Sequence, residues 1–159
     1  MRSAILHLAI SLTWLFLSPQ RDLPQFLKGL VIGYGILLLF QPLLPKDRYL
    51  KAGKAFLFWI VAFGRALVLS QIRVAKLILF PRRYPVHPGF LQFPIDGLSD
   101  LEILILSHSI TLTPGTTSVE VDPEKQELLV HALEADDPQE TIRDIKENLL
   151  KPLLAFTRP

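Results

Sequence analysis

The chain has 159 residues, half of them apolar, and a mean hydropathy of +0.35, which is more apolar surface than a single water-soluble core of this size absorbs. It contains no cysteine, which excludes disulfides, thiolate metal sites and thiol catalysis and fits a reducing compartment. Charge is divided: residues 1–88 hold 12 Lys/Arg against 2 Asp/Glu, net +10, while residues 89–159 hold 5 against 13, net −8. A basic stretch interleaved with apolar runs points to anionic lipid headgroups and argues against nucleic acid as a partner.

The first apolar segment, Ser3–Leu17, covers only about 23 Å as a helix, less than the roughly 30 Å of bilayer hydrocarbon. Ser18-Pro19-Gln20 follows without a small-x-small cleavage pattern, so the segment reads as a retained anchor. Ser3, His7 and Ser11 recur every four positions and form one polar stripe, the kind of face that a spanning helix turns toward protein. His7 is a functional candidate as an ionisable group inside a span, or else a neutral imidazole hydrogen-bonded between helices. Segment two, Phe26–Leu44, is long enough to span, with Lys28 near one end and Pro42 and Pro45 closing the other. Its Gly29-x-x-x-Gly33 pattern offers a helix-packing face for segment one or for another subunit.

Segment three, Lys54–Phe80, is hydrophobic enough to span but carries Arg65, Arg73 and Lys76. At 100° per residue Lys54, Arg65, Lys76 and Arg73 fall at about 0, 20, 40 and 100°, the pattern of a basic helix lying in the membrane interface. If it spans, the linker cluster Lys46, Arg48, Lys51, Lys54 and the following Lys76, Arg82, Arg83 lie on opposite sides of the membrane; if only segments one and two span, both clusters are cytoplasmic. The expectation is a membrane α-helical region over residues 1–88, with two spans plus a basic amphipathic or third spanning helix. These cations then contact lipid headgroups or a neighbouring subunit.

After the proline-rich linker 81–89 the periods change. Phe90–Ile95 reads as a strand, and Ser99-x-x-Glu102 is a capping box opening a helix to about Ile110. That helix is apolar on nearly every face. Thr113-Pro114-Gly115 ends it; Thr117–Asp122 and Glu127–Leu133 are strands joined by a turn at Asp122-Pro123-Glu124-Lys125. Asp137 caps a last helix with Ile142, Ile145, Leu149, Leu153 and Phe156 on one face. Residues 89–159 are therefore expected to form a small cytoplasmic α+β domain, βαββα, with two helices on one face of the sheet.

Candidate chemistry is sparse. The four histidines lie in different elements, none with metal-ligand spacing, so neither metal nor cofactor is expected. Ser107-His108-Ser109 are helix neighbours pointing in different directions, without a G-x-S-x-G elbow, so no catalytic group is expected. The carboxylates Glu134, Asp136, Asp137 and Glu140 surround a helix N-terminus, where negative charge is stabilising. No Asp or Glu lies within an apolar segment, so this chain alone is not expected to carry cations.

The run Ser109-Ile-Thr-Leu-Thr-Pro-Gly-Thr-Thr-Ser-Val-Glu-Val-Asp122, followed by Glu127-Leu-Leu-Val-His-Ala-Leu-Glu134, resembles the signature of the E subunits of the Mrp (Mnh, Sha) multisubunit Na⁺/H⁺ antiporters. So do the short first segment, the linker Leu44-Pro-Lys-Asp-Arg-Tyr49 and the end Ile145-Lys-Glu-Asn-Leu-Leu150. The resemblance implies a non-enzymatic accessory subunit in the cell membrane, with Na⁺ and H⁺ carried by partner subunits. It also leaves open an equivalent subunit of an Mrp-like module in a membrane-bound hydrogenase-type complex. A free-standing anionic-lipid adaptor is the competing class. Thr111, Thr113, Pro114, Gly115 and Thr116 form the signature turn, expected to cap a helix end and to face a partner subunit.

Overall fold

A computed structural model describes residues 2–44 and 48–158. The chain is mostly helical with one small antiparallel sheet, and it divides into two compact units, 1–54 and 55–158, each described separately below. That division falls inside the third helix, whereas the composition break at 88/89 divides the chain by chemistry.

The first unit is built on α1 (Arg2–Leu17) and α2 (Leu23–Leu39). The Asp22 carboxylate accepts from the Gln25 N–H at 2.9 Å and starts α2, with Pro24 inside its first turn, where a missing N–H costs nothing. The helix starts earlier and ends earlier than the span expected over Phe26–Leu44. Phe40 leaves helical geometry and Gln41–Leu43 tighten into a 3₁₀ turn, because Pro42 has no N–H to donate and disfavours helix at the residue before it. Pro45 lies outside the described residues. Helix α1 has 16 residues and α2 has 17, about 24 and 26 Å long.

Helix α3 (Arg48–Leu79) has 32 residues and, by length and composition, is the one helix among the described residues apolar and long enough to cross a membrane. It starts six residues before the expected Lys54 and so takes Arg48, Lys51 and Lys54 into its first two turns.

In the second unit β1 (Gly89–Pro94), α4 (Asp100–Leu112), β2 (Thr116–Asp122) and β3 (Glu127–Ala132) follow the expected order. The sheet order is β1-β3-β2, antiparallel throughout, with a bulge in β2 at Val119 between Ser118 and Glu120. Leu128, Val130 and Ala132 of β3 and Leu91 and Phe93 of β1 alternate onto one face, as the two-residue period of a strand requires. There they meet Leu106 and Ile110 of α4 and Ile145, Leu149 and Leu153 of the C-terminal helices to form the core. The β2–β3 turn is set by the Asp122 carboxylate, which accepts from the Glu124 and Lys125 amides at 3.1 Å each; these bonds and the Lys125 ammonium hold its pKa below the usual carboxylate value.

The expected single last helix is interrupted. It runs as α5 (Pro138–Ile145), a π turn (Lys146–Leu150) and α6 (Lys151–Thr157). Lys151 N–H reaches back five residues to Lys146, an adjustment to Pro152, which has no N–H to continue the ladder. At the other end of α4 the capping box forms as expected, Ser99 N–H donating to Glu102 Oε2 at 2.9 Å. No sequence spacing announces that the C-terminus closes over it: Arg158 donates to Glu102 Oε1 at 2.8 Å and Oε2 at 2.6 Å and to the Gly97 carbonyl at 2.7 Å, while Thr157 donates at 2.5 Å. Glu102 is buried, and these donors hold its carboxyl well below the usual range.

Candidate functional site: a helix junction and the signature turn

In the first unit the polar stripe is the inward face. Ser3, His7 and Ser11 are the buried residues of α1, and they meet α2 at Gly29 and Gly33, which are also buried. A Cβ at Gly29 would stand 2.8 Å from the Ser11 carbonyl oxygen, and one at Gly33 would stand 3.0 Å from the His7 ring. The Ser11 hydroxyl donates to the His7 carbonyl at 2.8 Å and lies 3.2 Å from the Gly29 carbonyl. Removing two side chains from one helix face thus brings polar groups of one helix onto carbonyls of the other.

His7 ties in the start of α3. Its Nε2 lies 2.8 Å from the Leu30 carbonyl and its Nδ1 is hydrogen-bonded to the Tyr49 hydroxyl. A carbonyl only accepts, so Nε2 carries a proton, and in a neutral ring Nδ1 accepts from the Tyr49 hydroxyl. Tyr34 packs edge-on to His7 and to Tyr49, with centroids 5.9 and 6.5 Å apart, and its ring lies against Gly53, where a Cβ would come within 2.7 Å. Tyr34, Tyr49 and Gly53 were missed by the sequence reading; the signal was a lone glycine in a basic stretch, one residue type that lets an aromatic ring lie on a helix backbone. Asp22, the one described carboxylate of this unit, is an exposed helix cap, so the junction joins three segments and, among the described residues, offers His7 no acidic proton acceptor.

In the second unit the signature turn is a helix terminus capped by its own threonines. Thr113 Oγ1 donates to the Ser109 carbonyl at 2.8 Å, Thr116 Oγ1 to the Ile110 carbonyl at 2.9 Å, and Thr111 Oγ1 accepts from the Ser118 amide at 3.1 Å. Gly115 has φ +97°, a conformation that L side chains rarely adopt. Its Cα side faces α3, where Val74 Cγ2 would be 3.5 Å from an added Cβ. Thr113, Pro114, Gly115 and Thr116 line a cavity of about 120 Å³ with Arg73, Val74 and Leu77 of α3 and Asp144 of α5. One side of the turn expected to meet a partner is therefore occupied by the chain's own helix.

The expected cation cluster separates. Lys46 lies outside the described residues, and Lys54 is hydrogen-bonded to Gln41. Arg48, Lys51, Arg65, Lys76, Arg82 and Arg83 are exposed. Arg73, turned about 60 to 100° away from Lys54, Arg65 and Lys76, instead faces the acidic domain, 3.2 Å from Asp144 and 3.9 Å from Glu134. Because all three side chains remain well exposed, Arg73→Ala should cost under about 1 kcal/mol, with the difference shrinking in high salt when thermal unfolding is followed. Ser107 and His108 bond the Leu104 carbonyl of their own helix and Ser109 that of Ile105, so that triplet converges on nothing.

Residues 7–156 match the family model described as "Na+/H+ ion antiporter subunit". The chain is 31% identical over 147 residues to the E1 subunit of the Na⁺/H⁺ antiporter of Staphylococcus haemolyticus, covering 92% of both chains. It is 29% identical over 154 residues, 97% of both, to the E subunit of the Na⁺/H⁺ antiporter of Alkalihalophilus pseudofirmus. Among solved structures it is similar to a chain of the membrane-bound sulfane sulfur reductase, an archaeal respiratory membrane complex, with a TM-score of 0.57 and 26% identity over 96% of each chain.

Proposed function

The chain belongs to the Na⁺/H⁺ ion antiporter subunit family, and we infer that it is an accessory membrane subunit of a multisubunit Na⁺/H⁺ antiporter, supporting assembly and activity while partner subunits carry Na⁺ and H⁺. The observation that carries this is the inverted polarity of the first unit. Ser3, His7, Ser11, Gly29 and Gly33 are inside, whereas Ile5, Leu8, Phe16, Leu27, Val31 and Leu39 are exposed. A hairpin in water would bury the second set; one in lipid has no reason to.

α1, α2 and α3 contain no Asp or Glu, so none of them brings a carboxylate that could bind a cation inside the membrane. Helices of 16 and 17 residues sit in a bilayer by thinning it locally or by packing among longer partner helices, which suits a subunit of a larger assembly. A two-span hairpin with residues 89–159 on the cytoplasmic side, as a domain of its own, agrees with the Lys/Arg excess of residues 46–83. In this reading the exposed cations other than Arg73 meet headgroups or partner subunits, as does the outer side of the signature turn.

Purification of the tagged full chain in mild detergent should recover several large polytopic proteins, and deletion should lower Na⁺ tolerance. A chain that purifies alone, with tolerance unchanged on deletion, contradicts the reading. The likeness to a chain of a respiratory complex over nearly the whole length supports a second host, an Mrp-like module coupled to electron transfer; deletion would then impair respiration and leave Na⁺ tolerance intact.

A further inference from the structure

Helix α3 passes the length and composition test for a span, yet the second unit packs along it. Trp59 stacks on Phe156 and Phe56 meets it at a tilt, with ring centroids 6.1 and 5.0 Å apart, Phe63 and Ala66 pack on the core, and Val74 and Leu77 line the cavity at the signature turn. Phe56 to Leu77 is about 32 Å of helix at 1.5 Å per residue, the whole thickness of a bilayer's hydrocarbon. A spanning α3 that kept this packing would carry Glu134, Asp144, Arg73 and the loop backbone around Gly115 into hydrocarbon, where unsatisfied polar groups cost several kcal/mol each.

The face turned away from the domain has a different character. Leu57, Val61, Val68, Ile72 and Leu79 fall within about 60° of arc at 100° per residue, and they are 52, 62, 59, 48 and 70% exposed. Arg65 and Lys76 border that stripe on one side, within about 40° of it. Both are exposed, and neither has an acidic partner among the described residues. An apolar stripe edged by unpaired cations, with an acidic domain clamped to the back of the same helix, fits one kind of surface.

We propose that residues 55–79 of α3 lie in the plane of the membrane as an interfacial helix on an anionic phospholipid surface. Leu57, Val61, Val68, Ile72 and Leu79 enter the acyl boundary, Arg65 and Lys76 reach lipid phosphates, and the domain stays on the water side. The inference rests on a membrane location but not on the antiporter role, so either can fail without the other.

The chain has no cysteine, so single nitroxide labels can be placed at Val61→Cys, Val68→Cys and Ile72→Cys in the full chain. The chain is reconstituted in vesicles of equal parts phosphatidylcholine and phosphatidylglycerol, and depth is read from the ratio of oxygen to nickel-chelate accessibility. The expected result is one common shallow depth for all three labels, within roughly 5–10 Å of the headgroups. A spanning helix would instead change depth by about 10 Å between Val61 and Val68, and labels fully open to the nickel chelate would put the face in water; either overturns the proposal. Arg65→Gln with Lys76→Gln should make the labels shallower in these vesicles, to the depth found in phosphatidylcholine alone. An unchanged depth would overturn the assignment to anionic lipid.

Discussion

Replacing Gly29 by alanine is expected to destabilise the first unit by about 1–3 kcal/mol, the usual cost of overpacking a close-packed contact, and leucine should do more. The added Cβ meets the backbone oxygen of Ser11 at 2.8 Å, and a backbone atom cannot turn aside as a side-chain end can. The two helices must move apart, which also stretches the Ser11 bonds and the His7 bond to the Leu30 carbonyl. Gly35 is the internal control, because an added Cβ there meets nothing within 4 Å; Gly35→Ala should be neutral or stabilising by up to about 1 kcal/mol from helix propensity alone. Thermal unfolding of the two variants in the same detergent should therefore shift Tm in opposite directions or leave only the Gly29 variant lowered. Equal shifts would mean that α1 does not pack on Gly29.

The second large effect is expected at Glu102. Glu102→Gln removes the charge that two arginine bonds, a threonine and the Ser99 cap all serve, and hydrogen bonds to a charged group contribute about 1.5–3 kcal/mol. A loss of about 2 kcal/mol is expected for the second unit, lowering its Tm by several degrees. The pH dependence has a definite sign. The folded carboxyl is held below the unfolded value of about 4.3, so the unfolded state binds more protons between those two values. The stabilisation is complete above the unfolded pKa and is lost progressively as pH falls through it toward the folded pKa. The natural chain should thus lose stability on acidification below about pH 4.3 more steeply than Glu102→Gln does. Parallel acid-unfolding curves would show that Glu102 is not ionised in the fold.

Much of this architecture is local and was legible as such. The four-residue spacing of Ser3, His7 and Ser11 marks one helix face, and that face is the buried one. Ser99 and Asp137 cap the helices they were expected to cap, because a cap is written in three or four adjacent residues. The strand expected over Glu127–Leu133 is β3, Glu127–Ala132.

What was not legible depends on partners distant in the chain or on which of two local rules wins. Glu102 and Arg158 are 56 positions apart, and no spacing rule reaches that far. The stretch around Arg48 and Lys51 carries enough charge to read as a linker, yet Leu50 is buried and the half-buried Tyr49 bonds to His7 of the hairpin, and the helix extends through them. Pro42 ends α2 earlier than its hydropathy suggests, and Pro152 converts one expected helix into two with a π turn between them. Arg73 belongs to a basic stripe by composition but to a salt-bridged domain contact by its angle. In the candidate site the glycines and threonines were visible as motifs, whereas the Tyr34, Tyr49 and Gly53 contacts emerge only when three segments are brought together.

That this chain is needed for antiport and does not itself transport ions is tested most directly in everted membrane vesicles, by following Na⁺-induced collapse of a respiration-driven pH gradient with a fluorescent amine. Vesicles from a strain lacking this chain should show little or no Na⁺-dependent response, restored when the full chain is supplied from a plasmid, and liposomes holding the chain alone should show none. An undiminished response in the deletion strain, or Na⁺-dependent proton movement by the chain alone, would contradict it.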